Sequence, residues 1–172
     1  DRVGVVSKFF DSIEVRKQKR EFVTHTGTYK GKRVTAISTG IGTDNIDIVY
    51  NELDALVNID LKTRTIKEKL TALNLIRIGT SGALQADIPV DSFVFSTHGV
   101  GLDGLLNFYQ LPNNAQETEI INAFRQHYPN NGILPRSYIS ECSLILKNKI
   151  SAGMILGMTA SCSGFYAPQG RV

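Results

Sequence analysis

Glycine-rich turns that directly follow short apolar segments constrain the fold of this chain more than any other feature of its sequence. Three of them stand out: STGIG at 38–42, RIGTSGA at 77–83 and TASCSGFYAPQGR at 159–171. In open α/β sheets, ligands bind outside the carboxyl ends of the strands, and glycine lets backbone amides approach a ligand closely. The sequence therefore predicts an α/β fold whose ligand site is built from these turns.

The periodicity of apolar residues predicts how strands and helices alternate along the chain. Strands are expected within 12–29 and at 33–38, 73–78, 91–97 and 153–159. Helices are expected near 3–10, after a cap at Thr43 or Asp44, at 116–128 and around 138–148. A hairpin turn is expected at 29–32 with Gly31 at positive φ, and a partly helical surface insertion at 58–70. These elements predict a single domain over residues 1–172, with a central mixed β-sheet flanked by helices.

The composition is that of an ordinary globular protein. Of the 172 residues, 42% are hydrophobic and 20% are charged, and the formal net charge is +3. This small positive excess comes without a basic stripe or a basic-aromatic run, which argues against nucleic acid as a partner. No apolar run approaches the roughly 20 residues of a membrane helix and no signal peptide opens the chain, so a cytoplasmic location is expected. Cys142 and Cys162 stand in no metal-binding spacing, and both are expected to be free thiols.

The second glycine-rich turn carries side chains suited to a small anion. Arg77 offers a planar guanidinium fork and Thr80 a hydroxyl, and both groups suit phosphate. A dinucleotide site is disfavoured because the GxGxxG pattern is not completed. A nucleoside triphosphate site is disfavoured because no P-loop lysine follows these turns.

Three longer segments resemble the nucleoside phosphorylase family: STGIGTDNIDIVYNEL, LIRIGTSGALQADIPV followed by THGVGLDGL, and GMTASCSGFYAPQGR. They occur in the family's order and at suitable distances, and the likeness extends over essentially all of the chain. The phenylalanine and the Q-x-R of FYAPQGR resemble the uridine phosphorylase branch rather than the purine phosphorylases. The resemblance implies phosphorolytic cleavage of uridine, a pyrimidine nucleoside, to uracil and ribose 1-phosphate.

The resemblance also implies which residues bind phosphate. Arg77 and Thr80 would contact it, Arg2 would complete the cradle, and Arg20 would reach the site of a neighbouring subunit. Each site then requires a homodimer, either alone or within a trimer of dimers. Several guanidinium groups around one dianion would fix both its charge and its orientation.

Recognition of the base is implied for Ser81, Gly82, Phe165, Gln169 and Arg171. Uracil would stack near Phe165, while the Gln169 amide matches an imide N–H beside a carbonyl. Arg171 would stabilise the negative charge that develops on the departing base. Arg77, Thr80 and Arg171 are therefore the candidate catalytic residues, in a mechanism that needs no metal, no cofactor and no covalent intermediate.

Several family features are altered or fall outside this chain. Glu21 and Ile41 match the family's occasional interface potassium site, but Asn45 stands where serine is usual. The family's first strand and its Pro-Gly-Asp phosphate loop would precede Asp1, and the Met-Glu pair that binds ribose would follow Val172. The chain is therefore expected to be truncated at both ends, and by itself to bind ligands weakly with little or no catalysis.

Two other functions stay open beside phosphorolysis. One is a non-catalytic nucleoside- or pyrimidine-binding module that retains the base-binding loop. The other is a hydrolase-type relative that uses water in place of phosphate, against which the set of arginines argues. Uracil release that depends on phosphate separates the phosphorylase from both.

Overall fold

The computed structural model describes residues 2–128, 132 and 134–170. The chain divides into two compact units, Asp1–Asn74 and Leu75–Val172. Helices and strands occur in both units, which confirms the α/β class expected from the sequence. The strands of the described residues belong to three sheets, one of them mixed. The single-domain organisation stays a prediction.

The first unit is built around an antiparallel three-stranded sheet in the order β1-β2-β3. Its elements are α1 (Arg2–Ser7), β1 (Ser12–Lys19), β2 (Phe22–Tyr29), β3 (Lys32–Ile37), α2 (Thr43–Asn58), β4 (Ile59–Asp60) and β5 (Thr65–Ile66). Lys30 and Gly31 join β2 to β3 with φ values of 48° and 72°, the two positive φ angles of a type I′ hairpin turn. The predicted turn is confirmed.

Helix α1 packs on this sheet through one buried edge. Val3 is 4% exposed, and the Ser7 hydroxyl lies 2.7 Å from Nδ1 of His25 on β2. The rest of α1 is half-buried or exposed, and Arg2, its first residue, is exposed to solvent. The predicted amphipathic helix is confirmed, although it ends at Ser7.

Two sequence expectations in the first unit are wrong. Helix α2 is preceded by Gly42 at φ 99° without a side-chain cap, so neither Thr43 nor Asp44 caps it. Residues 61–70 of the expected insertion at 58–70 are exposed, Asn58 is buried, and the segment forms the β4–β5 hairpin instead of a partial helix. Asp60 explains the difference, because its Oδ1 accepts hydrogen bonds from the amides of Lys62 and Thr63 at 2.8 and 3.3 Å. Such a side-chain turn competes with helix formation.

The second unit contains a mixed sheet in the order β7-β6-β8. Its elements are β6 (Val94–Gly101), a 3₁₀ turn (Leu105–Phe108), α3 (Ala115–His127), β7 (Tyr138–Glu141), α4 (Leu144–Ile150), β8 (Ile155–Ser161) and a second 3₁₀ turn (Ala167–Gln169). Strand β6 runs antiparallel to β7 and parallel to β8. Val100, Ile121 and Ile139 form the buried core between this sheet and α3. The parallel β6–β8 pair brings the carboxyl ends of both strands to one edge.

A buried carboxylate fastens α3 to the sheet. Glu117 is 6% exposed, and its oxygens accept hydrogen bonds from the amides of Asn114 and Glu141, each at 2.7 Å. The Asn114 side chain accepts from the Glu117 amide in return, which completes a capping box. The hydrogen bond from the Asn114 amide is the main cause that lowers the pKa of Glu117. The helix predicted at 116–128 is confirmed by this arrangement.

The sequence placed three other elements incorrectly. The strand expected at 73–78 does not form, because the described residues supply no partner strand for it and its apolar side chains stay exposed. The strand expected at 91–97 begins three residues later, at Val94. The helix expected around 138–148 is divided into strand β7 and helix α4, since Ser143 caps a new helix by accepting from the Leu146 amide.

Candidate functional site

The arginine segment, residues 71–83, holds four of the predicted site residues. Arg77, Thr80, Ser81 and Gly82 are all exposed and lie outside regular secondary structure. The Arg77 guanidinium folds over Gly79, where an added Cβ atom would lie 3.2 Å from Nη1. Among the described residues, Arg33 and Glu14 form a salt bridge, and Arg77 has no carboxylate partner. An exposed guanidinium without a carboxylate partner is available to a dissolved anion.

The aromatic segment, residues 162–170, follows β8 and holds the predicted base-binding residues Phe165 and Gln169. The Phe165 ring is 59% exposed and stands edge-on to Tyr166, with 5.7 Å between the ring centroids. The Gln169 amide donates from Nε2 to the Gly164 carbonyl at 2.9 Å, which closes the segment into a compact turn. The Gln169 carbonyl oxygen is left to accept from a ligand. Arg171 lies outside the described residues.

The two remaining predicted phosphate-binding residues belong to the first unit. Arg2 is exposed at the start of α1. Arg20 is exposed in the turn between β1 and β2, with φ at 56°. A site that combines them with Arg77, and a pocket shared by the arginine and aromatic segments, both stay predictions.

The carboxylate of Asp103, just after β6, joins three parts of the second unit, and sequence reasoning missed it. Its Oδ1 accepts from the Leu105 amide at 2.9 Å and from the Tyr138 hydroxyl at 2.7 Å. Its Oδ2 accepts from the Ser161 hydroxyl at 2.9 Å. The available signal was an acidic residue two positions after a strand that ends in glycine, within the motif THGVGLDGL. We call Asp103, Tyr138 and Ser161 the Asp103 cluster.

Gly101 makes room for the Asp103 cluster. It pairs with Tyr138 across the β6–β7 ladder, and a Cβ atom at Gly101 would overlap the Tyr138 ring. The ring therefore lies flat over the glycine, and its hydroxyl reaches Asp103. Burial is the main cause that raises the pKa of Tyr138, and the hydrogen bond to Asp103 and its negative charge act in the same direction. The hydroxyl consequently remains a proton donor across the physiological pH range.

Two cavities of the second unit differ in their relation to the predicted residues. A groove of about 670 Å³ runs along α3 and is lined mainly by apolar side chains such as Val100, Phe124 and Met158. None of the predicted site residues lines it, and its described lining contains no arginine or lysine. A smaller cavity of about 50 Å³ lies beside Cys162 and Pro168 of the aromatic segment. The candidate site is therefore defined by the chemistry of its residues and not by the size of a cavity.

Metal-binding clusters and membrane-spanning helices are absent from the described residues. They contain no group of three or more His, Cys, Asp or Glu side chains that could hold a metal ion. Where the sequence partly matches the family's potassium site, Nδ2 of Asn45 donates to the Ile41 carbonyl at 3.2 Å. Cys142 and Cys162 are free and half-buried. Within the part of the chain that is described, no helix combines the length and the apolar character needed to span a membrane.

The chain belongs to the phosphorylase superfamily, whose family model matches residues 1–171. It is 28% identical over 171 residues to a uridine phosphorylase from Thermococcus kodakarensis, covering 99% of this chain and 50% of that relative. It is 35% identical over 92 residues to a purine nucleoside phosphorylase of the DeoD type from Listeria welshimeri, covering 54% of this chain and 34% of that relative. The chain thus spans half or less of the length of these curated relatives.

Solved structures support the same family. The chain resembles the Trypanosoma brucei nucleoside phosphorylase, which shows uridine phosphorylase activity, with a TM-score of 0.87 and 29% identity, over 99% of this chain and 62% of that one. It resembles a uridine phosphorylase from Vibrio fischeri with a TM-score of 0.60 and 22% identity, over 96% of this chain and 55% of that one, a likeness of fold alone. The resemblance to nucleoside phosphorylases identified from the motifs is confirmed.

Proposed function

We propose that the full-length protein cleaves uridine with inorganic phosphate to give uracil and ribose 1-phosphate. The observation that carries this proposal is the likeness, over 99% of the chain, to a nucleoside phosphorylase with uridine phosphorylase activity. The aromatic segment favours a pyrimidine base, since it carries Phe165 and Gln169 in the pattern FYxxQGR. Because this chain spans only part of its relatives, we expect it to be inactive without the remainder.

Phosphate binding is assigned to Arg77 and Thr80 in this proposal. The exposed Arg77 guanidinium lies over Gly79, and Thr80 follows directly with an exposed hydroxyl. A guanidinium holds two oxygens of one dianion in a fixed orientation, which a lysine ammonium does not. Arg2 and a neighbouring subunit's Arg20 complete the cradle in a homodimer or a trimer of dimers.

Recognition of the base and stabilisation of the leaving group are assigned to the aromatic segment, with Ser81 and Gly82 lining the base. Uracil stacks against Phe165, and Gln169 pairs with the imide edge through one acceptor and one donor. Donation to uracil requires Nε2 of Gln169 to release or share its hydrogen bond to Gly164. Arg171 stabilises the negative charge on the base as the glycosidic bond loosens. No metal or cofactor takes part, and the reaction takes place in the cytoplasm.

The test is release of uracil from uridine by the full-length protein, with and without phosphate, and with inosine as a second substrate. Release that requires phosphate, together with recovery of ribose 1-phosphate, supports the proposal. Equal release of uracil without phosphate identifies a hydrolase, and binding of uridine without turnover identifies a nucleoside-binding module. Preference for inosine assigns the protein to the purine nucleoside phosphorylases, the class in which the Listeria relative is named.

A further inference from the structure

We propose that Asp103 is a positioning residue that sets the orientation of the aromatic segment, and thereby the recognition of the base. Its consequence for catalysis rests on the proposed function, whereas its consequence for the structure does not. It begins from the observation that one half-buried carboxylate accepts three hydrogen bonds, from a turn amide, from β7 and from β8. None of these three contacts lies within the residues assigned to uridine or phosphate.

Ser161 is the point through which Asp103 acts on the aromatic segment. It is the last residue of β8, and its carbonyl accepts from the Leu102 amide at 2.8 Å. Its hydroxyl donates to Oδ2 of Asp103. Ser161 is therefore held by main chain and side chain at once, one residue before the segment that carries Phe165 and Gln169 begins.

Tyr138 holds the other oxygen of the carboxylate in place. The Tyr138 hydroxyl and the Leu105 amide both donate to Oδ1, and they leave Oδ2 directed to Ser161. A carboxylate that accepts from three donors on different parts of the unit has little freedom to turn. The sheet thus fixes the orientation of the aromatic segment at Ser161. The residues beyond Ser161 are mostly exposed, so their orientation depends on this point of attachment.

The decisive variant is Ser161→Ala in the full-length protein, with Thr159→Val as the matched control. Thr159 also lies on β8, and its hydroxyl donates across the strands to Ser96 at 2.9 Å without touching Asp103. We expect Ser161→Ala to raise the KM for uridine about tenfold with the KM for phosphate unchanged, because a loosened aromatic segment must be ordered when the base binds. Thr159→Val should leave both constants near those of wild type, and Ser161→Thr, which keeps a hydroxyl, should restore the KM for uridine.

Hydrogen exchange of the unliganded protein tests the positioning independently of catalysis. Ser161→Ala should accelerate exchange of the amides at 163–170 by about tenfold, whereas Thr159→Val should not. If both variants change exchange and KM alike, the Ser161 hydroxyl serves only strand pairing and the inference is overturned. Unchanged exchange in Ser161→Ala also overturns it. If the wild-type protein releases no uracil, the proposed function has failed, and the exchange measurement alone decides the positioning role.

Discussion

The arginine segment and the aromatic segment look alike in sequence but differ in structure. In both regions the sequence predicted an apolar strand that leads into a glycine-rich turn. The aromatic segment does follow a strand, β8, which is hydrogen-bonded to β6 along its length. The arginine segment contains no strand, and its apolar residues Leu75, Ile76 and Ile78 are 40%, 56% and 81% exposed.

The difference shows that a strand depends on its partner as much as on its own residues. Residues 73–78 have the apolar composition of a buried strand, but the ladder requires a neighbouring strand to satisfy their backbone groups. Residues 155–161 are no more apolar, yet they lie parallel to β6 and form a strand. The two segments consequently hold their candidate site residues in different ways. The aromatic segment follows a paired strand beside the Asp103 cluster, whereas the arginine segment is held at Thr71 by the Asn58 side chain and continues without regular secondary structure.

The largest effect is expected from Arg77→Ala in the arginine segment. Loss of the guanidinium should lower kcat/KM for uridine phosphorolysis by about 10²–10³-fold, or about 2.7–4 kcal/mol, if it stabilises the reacting phosphate. The melting temperature should stay close to that of wild type, because the side chain is exposed.

The control for this prediction is Arg16→Ala, which removes another exposed arginine, on β1. Steady-state kinetics at varied phosphate concentration measures both variants. Equal activity losses in the two would show that Arg77 contributes only general surface charge.

A smaller effect, on stability, is expected from Gly101→Ala beside the Asp103 cluster. The new methyl group would overlap the Tyr138 ring and displace its hydroxyl from Asp103, at a cost of about 1–3 kcal/mol in the free energy of unfolding. Gly99→Ala on the same strand is the control, because an added Cβ atom there meets no atom within 4 Å. Denaturant unfolding of both variants measures the difference. A Gly101→Ala protein as stable as the control would show that Tyr138 does not need its position over the glycine.

The sequence predicted hairpin-turn chemistry and helical periodicity well, but it missed strand pairing with distant residues and also the local side-chain bonds of Asp60 and Ser143. The turn at Lys30 and Gly31 and the helix that contains Ile121 were predicted correctly, because turn chemistry and helical periodicity are local. The strand at 73–78 was predicted wrongly, since pairing is decided by residues far along the chain. The family resemblance named Arg77 and Gln169, but it did not lead to Asp103, whose partners lie 35 and 58 residues away.

The smallest effect is expected from Ile78→Ala in the arginine segment. Ile78 is 81% exposed, so its truncation should change the free energy of unfolding by no more than about 0.5 kcal/mol. Ile139→Ala on β7 provides the contrast, because that side chain is fully buried and its loss should cost about 2–5 kcal/mol. The measurement is unfolding of the full-length variants by urea. An Ile78→Ala loss as large as that of Ile139→Ala would mean that residues 73–78 pack as a buried strand in the full-length protein, and the contrast between the two segments would then disappear.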